Sequence, residues 1–326
     1  MSIRYRLPGL LADGRFHSGE ELAKALGVSR AAIWKQLRKF DELGLEIHAV
    51  RGRGYRLAVP FEPLEVSVIQ QHLSTSLSQR IEHLEVQREV DSTSDVLKRM
   101  PPPVAPQGIN VCLAEWQSAG RGRRGRRWIS PYGTNLYLSL ACMLEDGVLQ
   151  SGGLSLAVAV AVRRTLQKLG IDGLGLKWPN DIYLNGNKLA GILLDLSGES
   201  GGNYQVIIGI GINLRMPEGA GAEIDQPWSD LRHNKLQLQR NRLAGKLLDD
   251  LVKVIEIFSR QGLEAFAEEW QRYDIAAGLP VDLQTGQQES IRGVARGVDP
   301  HGALLIEQDG RIQTFHAGEI SVRLAG

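Results

Sequence analysis

Gly120-Arg121-Gly122-Arg123-Arg124-Gly125-Arg126-Arg127-Trp128 is the stretch on which the fold turns. Letter by letter it satisfies the G-x-G-x-x-G pattern of dinucleotide-binding folds. The chemistry argues otherwise. That fingerprint must lead from a strand into a helix and let the backbone approach a pyrophosphate closely. Here Ser130-Pro131 and Gly133 follow at once, and the arginines would crowd the approach. What remains is a glycine-rich loop between two strand-like segments, with five arginines among three glycines. Exposed backbone N–H groups and guanidinium forks in such a loop suit carboxylates and phosphates. The stretch reads as an anion clamp, and a solvated basic face or a nucleic-acid patch are the plainer readings of the same charge.

The segments around it fit an anion site. Lys177-Trp178-Pro179-Asn180-Asp181 follows strand-like Leu174-Gly175-Leu176, and Asn185-Gly186 is a hairpin turn signal returning through Lys188 to Leu194. Lys177, Lys188 and Asp181 are thereby expected close together. In a phosphate site a lysine gives the transferring group a point charge, and an aspartate can hold Mg²⁺; a surface hairpin with lysines in water is the alternative. The strand Val206 to Ile210 ends in Gly211-Ile212-Asn213, placing an amide at a strand end, where α/β ligand sites commonly lie. Upstream, Asp91-Ser92-Thr93-Ser94 precedes a helix through Val96 and Leu97 and by itself reads as an N-cap.

The chain has 326 residues, 43% hydrophobic and 23% charged, the composition of a globular protein of two or three domains. Two cysteines, Cys112 and Cys142, are too few for a disulfide framework and point to a reducing compartment. The stretch from Met1 to Leu11 lacks a signal peptide's apolar core, and no apolar run is long enough to span a bilayer, so a cytoplasmic protein without membrane contact is expected. The formal net charge is only +1, but residues 1–59 hold eleven Lys and Arg against six Asp and Glu, so that part carries +5 and the remainder −4. Such asymmetry suits a basic N-terminal module that meets a polyanion.

Three segments separate by pattern. Val59-Pro60-Phe61-Glu62-Pro63 reads as a linker, since its prolines disfavour helix and central strand. Before it, Ser18 caps a short helix that Gly27 stops, and Ser29 caps a second whose apolar stripe is Ala32, Ile33, Leu37 and Phe40. Val50 to Leu57 then reads as a hairpin carrying arginines. A winged helix-turn-helix is expected, with Ser29, Arg30, Ala31, Lys35 and Arg38 of the second helix and Arg51 and Arg53 of the wing facing DNA; a helical bundle with a basic face is the alternative. Residues 66–273 alternate β-rich runs with amphipathic helices. From Leu279 to Leu324 short strands are punctuated by Thr285-Gly286, His301-Gly302 and Asp309-Gly310, which predicts a small β-barrel.

Taken in order, His17-Ser18-Gly19-Glu20, Ser29 to Ile33, Asp91-Ser92-Thr93, Gly120 to Trp128, Lys177 to Asp181, Lys188 to Ile192 and Gly209 to Asn213 resemble the biotin protein ligase family, specifically its BirA-type ligase/repressors. The resemblance spans essentially the whole chain. It implies an α+β multidomain protein: a winged helix-turn-helix in 1–60, a mixed α/β class II synthetase-like catalytic domain in 66–273, and an SH3-like β-barrel in 274–326. It implies biotin against Ser92, Thr93, Ser94 and Gln117, with Arg121, Gly122 and Arg123 closing over it and Lys188 reaching the reacting groups. ATP or the adenylate would meet Arg121, Arg123, Lys177, Asn180, Asn213 and Trp228, with Asp181 and Asn213 as Mg²⁺ contacts. Arg123 and Lys188 are the expected catalytic residues. The implied partners are a biotin carboxyl carrier protein, which offers the acceptor lysine, operator DNA, and a second copy in a dimer promoted by biotinyl-adenylate. The family pattern is departed from at Ser94, where it reads asparagine, and at Trp34, where it reads a smaller polar residue.

The physical reading agrees. Joining a carboxylate to the α-phosphate of ATP brings two anions together and expels a third, so Arg121, Arg123 and Lys188 would offset charge. A biotinyl-adenylate hydrolyses easily, so a loop that orders around it is expected; Gly120 to Trp128 and the helix-poor stretch Met216 to Gln226 are the candidates. Two other functions compete: a lipoate or octanoate acyl ligase, and a ligand-sensing transcription factor without catalysis.

Overall fold

The computed structural model describes residues 3–105, 107–145, 148, 152–198, 202–232, 239–285, 290–318 and 320–324. The N-terminal unit holds α1 (Ile3–Leu10), α2 (Gly19–Leu26), α3 (Arg30–Leu37) and an antiparallel pair, β1 (Ile47–Val50) with β2 (Gly54–Leu57). Local chemistry sets these boundaries. Ser18 accepts a hydrogen bond from the Glu21 N–H at 3.1 Å while the Glu21 carboxylate accepts from the Ser18 N–H at 2.8 Å, a reciprocal cap. Gly27, at φ 67°, ends α2, and Ser29 accepts from the Ala32 N–H at 3.2 Å to start α3. α3 stops at Leu37, so Phe40 belongs to the following 3-10 turn, and Ala32 is half-buried; the expected apolar stripe is divided between two elements. The wing is stitched to the chain before α2 by mutual backbone bonds between His17 and Tyr55, 2.8 and 2.9 Å long. Gly54 makes that approach possible, since a Cβ there would lie 2.0 Å from the His17 carbonyl oxygen.

The central part runs α4 (Val66–Gln70), α5 (Thr75–Ser78), β3 (Ile81–Gln87), α6 (Thr93–Arg99), β4 (Ile109–Ala114), β5 (Leu136–Glu145), α7 (Leu154–Lys168), β6 (Leu174–Lys177), β7 (Asp181–Leu184), β8 (Asn187–Ser197), β9 (Asn203–Ile212), α8 (Glu218–Gly221), α9 (Arg240–Gln261) and α10 (Glu264–Tyr273). Its seven strands form one sheet in the order β3-β4-β5-β9-β8-β7-β6, in which only the β3–β4 pair is parallel. Strand alternation assigns the two faces. Leu136, Leu138 and Leu140 of β5 with Ile208, Ile210 and Ile212 of β9 join the main core, shared with α7 and α9. The opposite set meets α6: Cys112, Ala141 and Ile207 pack with Leu97 in a small separate cluster. That second face carries the polar chemistry described below.

The segment expected as a linker lacks regular structure but is anchored at several points. Phe61 packs edge-on against Tyr132 at 5.9 Å, and its N–H donates to the Ala12 carbonyl at 3.1 Å. Tyr132, from the central part, is a member of the N-terminal core and its N–H donates to the Leu43 carbonyl at 2.9 Å. A buried ion pair closes the junction: Arg240 and Glu115, 5% and 3% exposed, lie 2.7 Å apart. Arg240 also donates to the Glu62 carbonyl at 2.8 Å, and Glu115 accepts from the Leu64 N–H at 2.6 Å.

The C-terminal part is all β: β10 (Pro280–Thr285), β11 (Ser290–Val298), β12 (Leu304–Gln308), β13 (Arg311–Phe315) and β14 (Ile320–Leu324), in the antiparallel order β13-β12-β11-β10-β14. The Gly302 turn and the Asp309-Gly310 turn, with φ of 50° and 73°, fall where expected; Gly286 lies outside the described residues.

Asp274, just after α10, gives a stability prediction. Its Oδ1 accepts from the Ala276 N–H at 2.9 Å, whereas Oδ2 is buried without a hydrogen-bond partner. Burial raises its pKa to about 6 against the weaker pull of that hydrogen bond. The charged form therefore costs folding free energy above pH 6, and the cost disappears as pH falls to the ordinary carboxylate range. Two pKa units correspond to about 2.7 kcal/mol, which partial solvent screening reduces to about 1 kcal/mol. Asp274→Asn is expected to stabilise the protein by that amount at pH 8 and not at pH 4, measured by urea unfolding. A gain independent of pH would show that charge is not its cause.

Candidate active site

The site is built where the second face of the sheet meets α6. Ser139 points to that face because its β5 neighbours Leu138 and Leu140 point into the core. Its hydroxyl lies 2.7 Å from Thr93 Oγ1 and 3.0 Å from Ser94 Oγ. Gln117 Oε1 accepts from the Thr93 N–H at 3.0 Å, and its amide donates to Ser130 Oγ at 3.0 Å. Ser92, Thr93, Ser94 and Gln117 are all buried, so this is a polar cluster inside the protein. Ser92 does not cap α6 with its side chain, which corrects the N-cap reading; its N–H donates to Asp91 Oδ1 instead. The hydroxyl cluster faces the sheet.

Glycines keep that face flat. Gly191 of β8 stands opposite Gly211 of β9, and Gly209 stands opposite Ser139. The Trp128 indole lies across Gly211, where a Cβ would fall 2.5 Å from its ring, and Ser94 Oγ would be 2.7 Å from a Cβ on Gly209. Trp128 is thus the end of the glycine–arginine loop laid on the sheet. Lys188 Nζ sits 5.7 Å above the indole and 2.8 Å from Asp181 Oδ1. The loop itself makes one 3-10 turn, Arg123–Gly125, with Arg124 at φ 57°, and opens no helix, as the rejection of the dinucleotide pattern requires.

The expected charged residues come together, with partners that the sequence did not announce. Arg123 donates to Asn180 Oδ1 at 3.3 Å and to the Ala317 carbonyl of the C-terminal part; burial lowers its pKa, opposed by nearby Asp181. Arg121 is held between Asp95 and Asp195, each at 2.8 Å, and Lys98 lies 3.1 Å from Asp195. Lys177 stands opposite Asp181 and donates to the Tyr183 hydroxyl at 3.2 Å, its pKa pushed down by burial. The Asn213 amide donates to the Ser229 carbonyl at 3.2 Å. Trp228 reaches the site through its neighbours, since the Lys188 N–H donates to the Pro227 carbonyl at 3.2 Å and the Ser229 N–H donates to the Lys188 carbonyl at 2.8 Å. Gly122 bonds back to the Arg126 carbonyl at 2.7 Å. The Met216 to Gln226 stretch is less helix-poor than expected: it contains α8, with Trp228 Nε1 donating to the Gly221 carbonyl at 3.1 Å.

Among the described residues, four buried polar atoms here lack hydrogen-bond partners: Trp128 Nε1, Arg121 Nε, Asn213 Oδ1 and Asp181 Oδ1, the last lying beside the Lys188 ammonium. Unsatisfied buried donors and acceptors among these residues are groups that a polar ligand would satisfy. Sequence reasoning missed Ser139, Ser130, Asp95 and Asp195. A serine within the apolar run of β5 was the available signal for Ser139; the others become neighbours only through the fold.

The N-terminal unit presents a separate basic face. Arg30, Ala31, Trp34, Lys35 and Arg38 lie exposed along the outward side of α3, and Arg51 and Arg53 are exposed in the wing turn. Arg53 and Arg56 stack over Phe16 at 4.4 and 5.1 Å. Ser29 is used as the cap of α3.

Comparison with known proteins fits each part. The chain matches the biotin/lipoate A/B protein ligase family over residues 86–213, a helix-turn-helix domain over 9–56 and the biotin protein ligase C-terminal domain over 278–323. It is 42% identical over 324 residues to the bifunctional ligase/repressor BirA of Salmonella typhimurium, covering 99% of this chain and 98% of that protein. The same coverage holds for BirA of Escherichia coli at 40% identity. The structure of the biotin protein ligase from Aquifex aeolicus in complex with biotin and ATP has a TM-score of 0.63 at 28% identity, covering 75% of this chain and 100% of that one. With a helix-turn-helix, a ligase core and the matching C-terminal domain in one polypeptide, the chain belongs to the BirA family of bifunctional biotin ligase/repressors.

Proposed function

We propose that the site activates biotin with ATP and passes it to a lysine of a biotin carboxyl carrier protein, and that the N-terminal domain couples the same ligand to operator DNA. The observation that carries the first half is the grouping of polar side chains: buried hydroxyls and an amide around Ser139, and Lys188, Arg123 and unsatisfied Trp128, Arg121 and Asn213 atoms beside them. In the first step a biotin carboxylate oxygen bonds to the α-phosphorus and pyrophosphate leaves. In the second the acceptor amine bonds to the carbonyl carbon, AMP leaves and a proton is lost from nitrogen. Ser92, Thr93, Ser94 and Gln117 hold biotin; Ser94 contributes a hydroxyl. Arg121, Gly122, Arg123, Lys177, Asn180, Asn213 and Trp228 surround the nucleotide. Arg121 reaches a phosphate only by leaving Asp95 and Asp195, which makes the loop's closure dependent on ligand.

Mg²⁺ is proposed to arrive on the nucleotide, with Asp181 and Asn213 as its protein contacts. Among the described residues no three His, Cys, Asp or Glu side chains gather to hold a metal. The proposed domain boundaries are 1–60, 66–273 and 274–326. Half-site pairing requires a dimer, which biotinyl-adenylate would promote. No described helix is long and apolar enough to cross a membrane. Both cysteines are free and buried, which fits the proposed cytoplasmic setting.

Arg123→Ala tests the clamp. Loss of a guanidinium aimed at developing charge is expected to cost about 3 kcal/mol, a rate loss of about two orders of magnitude in pyrophosphate release with biotin and ATP. Wild-type formation, retention and transfer of the adenylate by this variant would remove Arg123 from the clamp. Substituting lipoate for biotin in the same assay separates the acyl-ligase alternative, which the full-length relatives do not favour. Absence of turnover with either acid would leave ligand sensing.

A further inference from the structure

Trp34 is out of place for a helix whose apolar side is already filled. Ile33 and Leu37 supply the buried side of α3, at 0% and 6% exposure, while Trp34 on the outward side is 53% exposed. Its ring lies under the Arg38 guanidinium, 4.9 Å from the centroid. The helix period places Arg30 and Ala31 one turn before Trp34 and Arg38 one turn after it, with Lys35 alongside, and all are exposed. Trp34 is therefore the centre of the outward stripe. Between Glu21 and Asp41 the chain has no acidic residue, so the charges flanking this indole are uniformly positive. An exposed aromatic ringed by cations is matched by a polyanion with apolar groups on its reading surface rather than by an ordinary protein partner. The major groove of DNA offers that combination: phosphates on its rims and thymine 5-methyl groups on its floor.

We propose that Trp34 is a specificity-determining residue of the DNA-binding domain, its indole packing against the 5-methyl of a thymine in each half-site. Arg38, stacked on the indole, is held beside the same base step, where it reaches a guanine edge or a phosphate. Ala31, one turn earlier, leaves room for the indole to lie close to the groove floor. The assignment rests on the reading of α3 as a recognition helix and adds which residue selects sequence and by what contact.

The experiment uses the full chain with biotin and ATP present and a random duplex library, from which wild-type protein enriches its own site. Each thymine of that site is then replaced by deoxyuridine, which removes one methyl and keeps the pairing. Wild type is expected to lose about five-fold in affinity at one or two positions per half-site. Trp34→Ala should bind the parent site about ten-fold more weakly at fixed salt, be insensitive to those deoxyuridines, and bind random duplex as wild type does. Trp34→Phe should keep the deoxyuridine sensitivity, because an aromatic face remains. Identical deoxyuridine profiles for wild type and Trp34→Ala overturn the assignment while leaving DNA binding in place. A Trp34→Ala variant altered in self-association but not in base preference would make the indole a protein contact, which also overturns it. So would loss of biotin transfer by that variant, since it would show a structural role. If wild type enriches no sequence, the recognition-helix reading falls and the assignment with it.

Discussion

Lys188→Ala is expected to slow adenylate formation by about two to three orders of magnitude in single turnover, with the fold intact. The group removed is a point charge of the kind that stabilises developing phosphate charge in a water-poor site. The structure adds a second cause. Lys188 is the charge partner of Asp181 at 2.8 Å, with the two side chains 13% and 15% exposed. Without it, a largely buried carboxylate faces the site where two further anions must meet. Asp181 also stands opposite Lys177 across the β6–β7 pair, so that lysine can offset part of the stranded charge. At saturating Mg²⁺, where the weakened Asp181 contact to the ion does not limit the rate, the double variant Lys188→Ala/Asp181→Asn is accordingly expected to recover about ten-fold over the single one, by removing the repulsion without restoring the cation. Normal single-turnover adenylation by Lys188→Ala would reduce this lysine to a hairpin residue with no part in the chemistry. A double variant no faster than the single would deny Asp181 its share.

The largest effect on stability is expected at Arg240. Its guanidinium donates to Glu115 at 2.7 Å, to the Glu62 carbonyl at 2.8 Å and to the Asn135 carbonyl at 2.8 and 3.1 Å. Glu115, nearly solvent-free, keeps the Leu64 N–H but loses its cation once the arginine is gone. Breaking a buried pair from one side typically costs about 3 to 5 kcal/mol, because a charge is left uncompensated. Arg240→Ala should lower the unfolding free energy in urea by that amount. Pairing it with Glu115→Gln should cost less than the two single effects added together, since the second change neutralises the stranded group. Strict additivity would mean that the two side chains contribute independently.

Much of this molecule is legible in its sequence because local chemistry sets it. Ser18 with Glu21, Ser29, and Asn185-Gly186 act over a few residues, and the elements start or turn where those residues stand. The glycine–arginine loop is recognisable from its composition and from Ser130-Pro131 and Gly133, which leave no room for a helix after it. The pairing of distant residues is not legible in the same way. Arg121 between Asp95 and Asp195, or Arg123 on the Ala317 carbonyl, are contacts across 26 to nearly 200 residues of chain. Ser92 shows the opposite error: a local rule predicts a side-chain cap, but Ser92 makes none, and the Thr93 and Ser94 hydroxyls after it turn to Ser139. The linker misleads in the same direction, since its prolines do prevent regular structure while Phe61, Glu62 and Leu64 bind both sides of the junction.

The β9 glycines at 209 and 211 have a role in folding as well as in the site. Strands alternate strictly, so slipping β9 by one residue past its neighbours would bring Ile208, Ile210 and Ile212 onto the polar face and send Gly209 and Gly211 into the core. The slipped sheet would lose its packing and bury Ser94 and Trp128 against branched side chains. Correct pairing is therefore indexed by two of the residues that leave space for the ligand. Substitutions at these positions are screened twice, once while the sheet assembles and again when the pocket must accept its ligand, which leaves few routes by which the pocket can change shape without first mis-threading the sheet.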